Sequence, residues 1–364
     1  MNKKTDETKY WLAISKNPKI GSIGFKQIIN TKVPIKDIFK ARELELKRLK
    51  LAEKLIKEII YCQKEYDPDQ IILDLEKEQI STITINDQGY PKNLKEIYDP
   101  PIIIYYKGNL SLDDLMISIV GSRKPTDYGR HVTYDLAYKL ASAGITIVSG
   151  LALGLDSVAH QAALEAKGKT VAVLGCGLDK IYPSSHEKLA REIIENDGAI
   201  LSEYPTGVLP LKQNFPARNR IISGLALGLI VTEAARGSGS LITARDALEQ
   251  NREVFAIPGS IYNKNSYGPN NLIRMGAHLI SDAQDVFDEL GLIAPREITK
   301  LRNILPQNPE EEIIFEVLKD QPKHIDFIIK ESKLEQNKVS SLLTMMEVGG
   351  RIKHLGGMVY RLNN

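Results

Sequence analysis

Between residues 116 and 290, short apolar runs recur along the chain: ISIV (117–120), ITIV (145–148), TVAVL (170–174), AILS (199–202), LIVT (229–232), VFAI (254–257) and HLI (278–280). They do not alternate with polar residues, as a strand with one wet face would, so they read as strands covered on both sides. Helical stretches separate most of them. Gly144, Gly168 and Gly198 each stand between the end of a helical stretch and the start of the next run, where a left-handed helix cap is expected. The repeat of strand, loop, helix, glycine and strand predicts βαβ units and a mostly parallel sheet, an α/β fold.

The flanks carry other periods. Residues 1–66 read as helical, with ARELELKRLKLAEKLIKEII as a charged amphipathic helix. Downstream, ISTITIND predicts a strand, and GYPKNLKEIYDPPIIIYYKGN predicts a turn, a short helix and a further strand. With these, the sheet domain spans 67–290. Residues 291–308 read as a linker. Residues 309–364 form a small unit of three helices followed by a hairpin around Gly356–Gly357, which is the winged-helix pattern.

Composition narrows the class without choosing the function. The 364 residues are 43% hydrophobic and 26% charged, which is ordinary for a globular protein of two or three domains. Cys62 and Cys176 lie far apart with no histidine cluster, which argues against a disulfide framework or structural zinc and fits a reducing, cytoplasmic setting. The opening MNKKTDETKYW lacks the apolar run of a secretion signal, and no apolar stretch is long enough to span a membrane. The net charge of +2 means that any nucleic-acid affinity must come from local charge.

In an open α/β sheet, ligands bind beyond the carboxyl ends of the strands. ISIV is followed by Gly121-Ser122-Arg123-Lys124. AILS is followed by a long loop with Lys212, Phe215, Arg218, Asn219 and Arg220. LIVT is followed by EAARGSGSLIT, where Gly237-Ser238-Gly239-Ser240 enters a helix. Glycine admits a ligand close to the backbone, and helix N-termini offer free N–H groups. Together these loops predict an extended anion-binding face, with Phe215 offered for stacking on a base.

Plainer readings accompany these. A glycine loop after one strand is often only a tight turn. Arg218 and Arg220 pair either with a ligand or with Glu203 or Glu233. Phe215 is either a stacking ring or core. His160, within DSVAHQAALEA, reads as a packed helix residue. The coincidence of features across successive strand ends favours the ligand face. Other chemistry lacks its motifs: there is no GxxxxGK[ST], no complete dinucleotide fingerprint after Gly175-Cys176-Gly177, and no HExxH or CxxC. No cofactor and no metal are expected.

IVGSRKPTDYG (119–129), SGLALGLDSVAH (149–160), VLGCGLDKIYP (173–183), SEYP (202–205), FPARNRIISG (215–224), EAARGSGSLITARDALE (233–249) and IPGSIYNKNSYGPNNLIRMGA (257–277) together closely resemble the DNA-processing protein A (DprA/Smf) family. YPKNLKEIYDPPIIIYYKGN (90–109) resembles it too. The resemblance implies an extended Rossmann-like domain, a SAM-like helical N-terminal domain and a C-terminal winged helix. It implies a non-enzyme that binds single-stranded DNA in natural transformation, protects it, loads the recombinase RecA, relieves the block imposed by single-strand binding protein, and acts as a homodimer. The family's DNA-contacting positions fall on Ser122, Arg123, Lys212 and Phe215. Those of the SGSL stretch and the RNR arginines line the same pocket. The same scaffold also resembles nucleoside-monophosphate phosphoribohydrolases, but their PGGxGTxxE loop is here ARGSGSLITARD, without its Pro-Gly-Gly start or its glutamate. A regulator that reads an operator through the winged helix would leave the loop face unexplained.

Overall fold

The computed structural model describes residues 7–111, 114–292, 308–319, 321–348 and 351–362. The chain divides into two compact units, residues 1–286 and 287–364.

The first unit begins with α1 (Thr8–Ser15), α2 (Ser22–Asn30), α3 (Ile35–Lys40), α4 (Glu43–Arg48), α5 (Glu53–Glu65) and α6 (Pro68–Lys77). The boundary expected at residue 66 therefore falls just before α6, whose Asp67 cap accepts the amides of Asp69 and Gln70 and whose Pro68 suits a first helical turn. Then follow β1 (Ser81–Thr84), α7 (Lys92–Lys95), β2 (Ile103–Gly108), β3 (Met116–Val120), α8 (Asp127–Ser142), β4 (Thr146–Ser149), α9 (Leu155–Glu165) and β5 (Thr170–Leu174). After them come α10 (Glu187–Glu195), β6 (Ala199–Ser202), α11 (Asn214–Leu225), β7 (Gly228–Val231), α12 (Gly239–Glu249), β8 (Glu253–Ala256), α13 (Tyr267–Arg274), β9 (His278–Leu279) and α14 (Ala283–Glu289). Each apolar run of the sequence is a strand, to within a residue or two.

The nine strands form one sheet in the order β1-β2-β6-β5-β4-β3-β7-β8-β9. Among β3 to β9 every pairing is parallel, and β2 alone runs the other way, pairing antiparallel with both β6 and the edge strand β1. The two faces bury alternate side chains of the same strand. Val171 and Val173 pack with Ile221, Leu225 and Ala244 of α11 and α12. Ala172 and Leu174 pack in one cluster with Leu12, Ile14 and Ile59 of the N-terminal helices. Burial of both faces is why the runs read as continuously apolar, and each fully buried Ile or Leu contributes about 1.5–3 kcal/mol.

One expectation about the glycines needs correction. Gly144 does adopt the left-handed conformation (φ +86°), but at the other two junctions Lys167 (φ +55°) and Asp197 (φ +62°) take it, one residue earlier. Gly168 and Gly198 are needed for proximity instead. A Cβ there would lie 2.8 Å from Cβ of Ala141 and 2.4 Å from the carbonyl oxygen of Thr170, respectively.

The strand order also fixes where a ligand fits. From β3 the chain builds outward through β4, β5 and β6, then crosses back by way of α11 and resumes on the other side of β3 with β7, β8 and β9. The loops leaving β3 and β7 diverge, which opens a crevice at their carboxyl ends.

The second unit contains α15 (Pro309–Leu318), β10 (Lys323–His324), α16 (Ile325–Ser332), α17 (Gln336–Val348), β11 (Ile352–His354) and β12 (Val359–Leu362), with sheet order β10-β12-β11. Its core is Ile314, Leu318, Ile328, Val339, Leu343, Met346 and Ile352. The hairpin turns at Gly356 and Gly357, both with positive φ, as expected. Arg351, at the start of the hairpin, is buried against the equally buried Glu311 at 3.5 Å. Among the described residues, no helix is long and apolar enough to cross a membrane.

Candidate nucleic-acid interface

A cavity of about 850 Å³ opens in the crevice between the β3 and β7 loops, with the first turn of α11 as its third wall. Three segments distant in sequence meet there. Gly121, Ser122 and Arg123 come from the β3 loop. Lys212 comes from the β6–α11 connection, and Phe215, Arg218 and Asn219, expected in a long loop, come from the first turns of α11 itself. Gly237, Ser238, Gly239 and Ser240 come from the β7–α12 loop. Pro216 sits in the first turn of α11, where a missing N–H costs nothing, so the helix starts at the cavity wall.

Buried polar contacts lock the loops together. Ser240 donates from Oγ to the carbonyl of Gly121 at 2.9 Å, tying the β7 loop to the β3 loop. Glu233, buried at the end of β7, accepts from the Thr126 amide at 3.0 Å, from the Thr126 hydroxyl and from Asn265 Nδ2 at 3.3 Å. The sequence offers Glu233 as an arginine partner; it instead organises the β3 loop.

The expected site residues separate by depth. Arg218 is 3% exposed and donates from Nη1 to the carbonyls of Gly150, at 2.8 Å, and Val173. It forms the floor. Burial lowers its pKa to about 10, opposed mainly by the charge of Asp156. Asp156 is buried too and accepts from the amides of Gly150 at 3.1 Å and Ala152 at 3.4 Å. Burial pushes this carboxyl up, with Arg218 pulling the other way. Asn219 ties the floor to the β7 loop through Nδ2 to the Gly239 carbonyl at 3.4 Å.

Arg220 is not among the residues that line the cavity. Two residues along a helix turn the side chain by roughly 200°, so Arg220 points away from the wall that Arg218 faces. It forks onto Glu203, with Nη1 to Oε1 at 2.9 Å and Nη2 to Oε2 at 2.7 Å. Asp99 lies 3.5 Å from its Nε. This is the plainer of the two readings of the sequence, and it accounts for the residue.

What remains at the surface is cationic and aromatic. Arg123, Lys124, Lys212, Arg236 and Lys264 line the cavity and are exposed. None of them is ion-paired among the described residues, and the one acidic lining group, Asp156, is buried. Phe215 is half-buried. One edge rests on Gly175, where a Cβ would come within 3.1 Å of the ring. Its centroid is 5.5 Å from that of Tyr182 and 5.8 Å from the guanidinium carbon of Arg123. In the β7–α12 loop, the Ser238 and Ser240 amides are already bound, to the Ala235 carbonyl and to Ser238 Oγ. The Gly237 and Gly239 amides are the ones left to face an anion at the start of α12.

Sequence reading missed Arg236, Lys264, Tyr182 and Asp156 as lining residues. Arg236 stands beside the glycine-serine stretch and was readable there. Lys264 comes from the loop after β8 and needed the fold. His160 is fully buried, with Nδ1 2.7 Å from Thr170 Oγ1, and does not line the cavity. Among the described residues, no group of His, Cys, Asp and Glu is placed to hold a metal ion.

Comparison with known proteins agrees with this fold. The family model described as DNA recombination-mediator protein A matches residues 81–291, and the DprA winged helix domain model matches residues 300–358. Protein Smf of Synechocystis is 34% identical over 98% of both chains. DNA processing protein DprA of Streptococcus pneumoniae is 45% identical over 63% of this chain and 81% of its own. The X-ray structure of that DprA superposes with a TM-score of 0.64 at 36% identity, covering 78% of this chain and 96% of its own. A structure of DNA processing protein A from Helicobacter pylori, described by its single-stranded DNA binding mode, superposes with a TM-score of 0.53 at 36% identity, covering 58% of this chain and 95% of its own. The chain belongs to the family of the DNA recombination-mediator protein A.

Proposed function

We propose that the cavity binds the backbone of single-stranded DNA and that the protein is a recombination mediator without catalytic chemistry of its own. The observation that carries this reading is the surface of the cavity: cations without ion-pair partners among the described residues around a partly exposed aromatic ring, with the one acidic lining group largely buried. Arg123 and Lys212 make charge-assisted contacts to phosphates, and the Gly237 and Gly239 amides donate to a further phosphate at the start of α12. Phe215 stacks on one base. Because every base has a π-face, binding is nearly independent of sequence. Duplex binds more weakly, since paired bases do not reach the ring.

Arg218, Asn219 and Ser240 hold this surface in place from below; they do not themselves meet the DNA. In the cell the bound strand is DNA taken up in natural transformation. The protein protects it, relieves the block imposed by single-strand binding protein and loads RecA. A homodimer brings two cavities onto one strand, and effective concentration then raises affinity beyond either site alone. That suits a chain of net charge +2.

The test is a titration of fluorescent oligothymidine and of the matching duplex over a range of salt. Tighter, salt-dependent binding of the single strand is expected. Equal binding of both, or none, contradicts the reading.

A further inference from the structure

A further exposed aromatic ring stands beside a residue that lines the cavity. Arg236 lines the cavity from the β7 loop, and its guanidinium carbon lies 5.9 Å from the ring centroid of Tyr267. Tyr267 opens α13 and is 46% exposed. This pair repeats the chemistry of Arg123 on Phe215. Lys264, three residues before Tyr267, also lines the cavity, exposed and without an ion-pair partner among the described residues.

The placement of Tyr267 is fixed by backbone. Ala234 and the loop before α13 exchange hydrogen bonds: the Ala234 amide donates to the Asn265 carbonyl at 2.7 Å, and the Gly268 amide donates to the Ala234 carbonyl at 2.7 Å. Only glycine fits at 268, because a Cβ would lie 2.6 Å from that carbonyl oxygen. Asn265 also donates from Nδ2 to the Lys124 carbonyl at 3.0 Å, so the same segment is tied to the β3 loop. Tyr267 thus stands at a set distance from the cavity, on a rigid element, with one side open. A ring that served only the core would be covered. A ring exposed on a clamped support, beside an unpaired arginine, is arranged for a flat ligand followed by a phosphate.

We infer that a strand seated on Phe215 leaves the cavity past Lys264 and stacks a second base on Tyr267, with Arg236 holding the intervening phosphate. The inference rests on the single-stranded DNA reading above. It extends that reading from a pocket for one base to a track with two stations, whose use depends on strand length.

The experiment compares oligothymidines of about 4 and about 16 nucleotides, lengths that bracket a short and a long site. Full-length protein and its Tyr267→Ala, Tyr267→Phe and Phe215→Ala variants are titrated with each. Tyr267→Ala is expected to weaken the longer strand by roughly 5- to 150-fold, leaving the shorter one unchanged, while Tyr267→Phe, which keeps the ring, binds both normally. Phe215→Ala weakens both lengths. Photo-crosslinking with an iodouracil-substituted longer strand is expected to mark Tyr267. Tyr267→Ala that leaves both lengths unchanged, or weakens both alike, overturns the second station, with Phe215→Ala still testing the first. If wild-type protein binds neither length, the single-stranded DNA reading itself falls.

Discussion

Arg123 lies over the ring of Phe215, its guanidinium carbon 5.8 Å from the centroid, although the two residues come from the loop after β3 and from the first turn of α11. The contact joins two strand ends that are not neighbours in the sheet. It also orients the cation and the stacking ring toward the same opening. Replacing Phe215 by alanine is expected to weaken single-strand binding by roughly 1–3 kcal/mol, and replacing it by tyrosine to leave binding near wild type. Fluorescence titration with oligothymidine measures both.

Arg123 and Lys212 reach solvent with no acidic partner among the described residues. Changing either to alanine should weaken binding to all sequences alike. The slope of log affinity against log salt should become shallower by about 0.7 for each phosphate that the variant no longer neutralises. A variant whose affinity falls without a change of slope would place that side chain in the scaffold and not on the phosphates.

Arg220 should behave in the opposite way. Its fork onto Glu203 leaves each side chain 18% exposed. Arg220→Ala is therefore expected to cost about 1–3 kcal/mol of stability, between the values for exposed and fully buried pairs. Lysine will not restore it, since an ammonium cannot match the two-pronged geometry. Thermal unfolding reads the loss, and the DNA affinity of the remaining folded protein should stay near wild type.

Burial of His160 lowers its pKa to about 3, with the charges of His186 and Arg218 adding to the effect. The unfolded chain takes up this proton near pH 6.5, the folded chain only near 3. Stability is thus complete above about 6.5 and falls with acidification through that window, at up to roughly 1.4 kcal/mol per pH unit for the one proton. Unfolding followed between pH 7 and 4 should show a shallower decline in His160→Gln than in the wild type.

Much of this fold could be read in the sequence because both faces of the sheet are buried. Covered strands need uninterrupted apolar residues, so ISIV, TVAVL and VFAI announced themselves. The glycine-rich loops were legible for a related reason: they follow those strands, and the general rule for open sheets places ligands there. Arg220 was not separable from Arg218 by type or spacing, because only the helical turn sends one to the cavity floor and the other to Glu203. Glu233 could not be assigned without knowing that Thr126 and Asn265 converge on it. Lys264 joins the site from the segment after β8, a placement set by β8 lying beside β7 and absent from any local pattern. The left-handed turns at Lys167 and Asp197 came one residue early because the following glycines serve close packing.

The central claim is that the cavity between the β3 and β7 loops is where single-stranded DNA binds. It is tested most directly by titrating the Lys212→Ala, Phe215→Ala double variant, after its fold is checked by thermal unfolding, with oligothymidine beside the wild type. A folded variant stripped of most of its affinity and salt dependence is the expected result. A folded variant that binds as tightly as the wild type would place the DNA elsewhere on the protein.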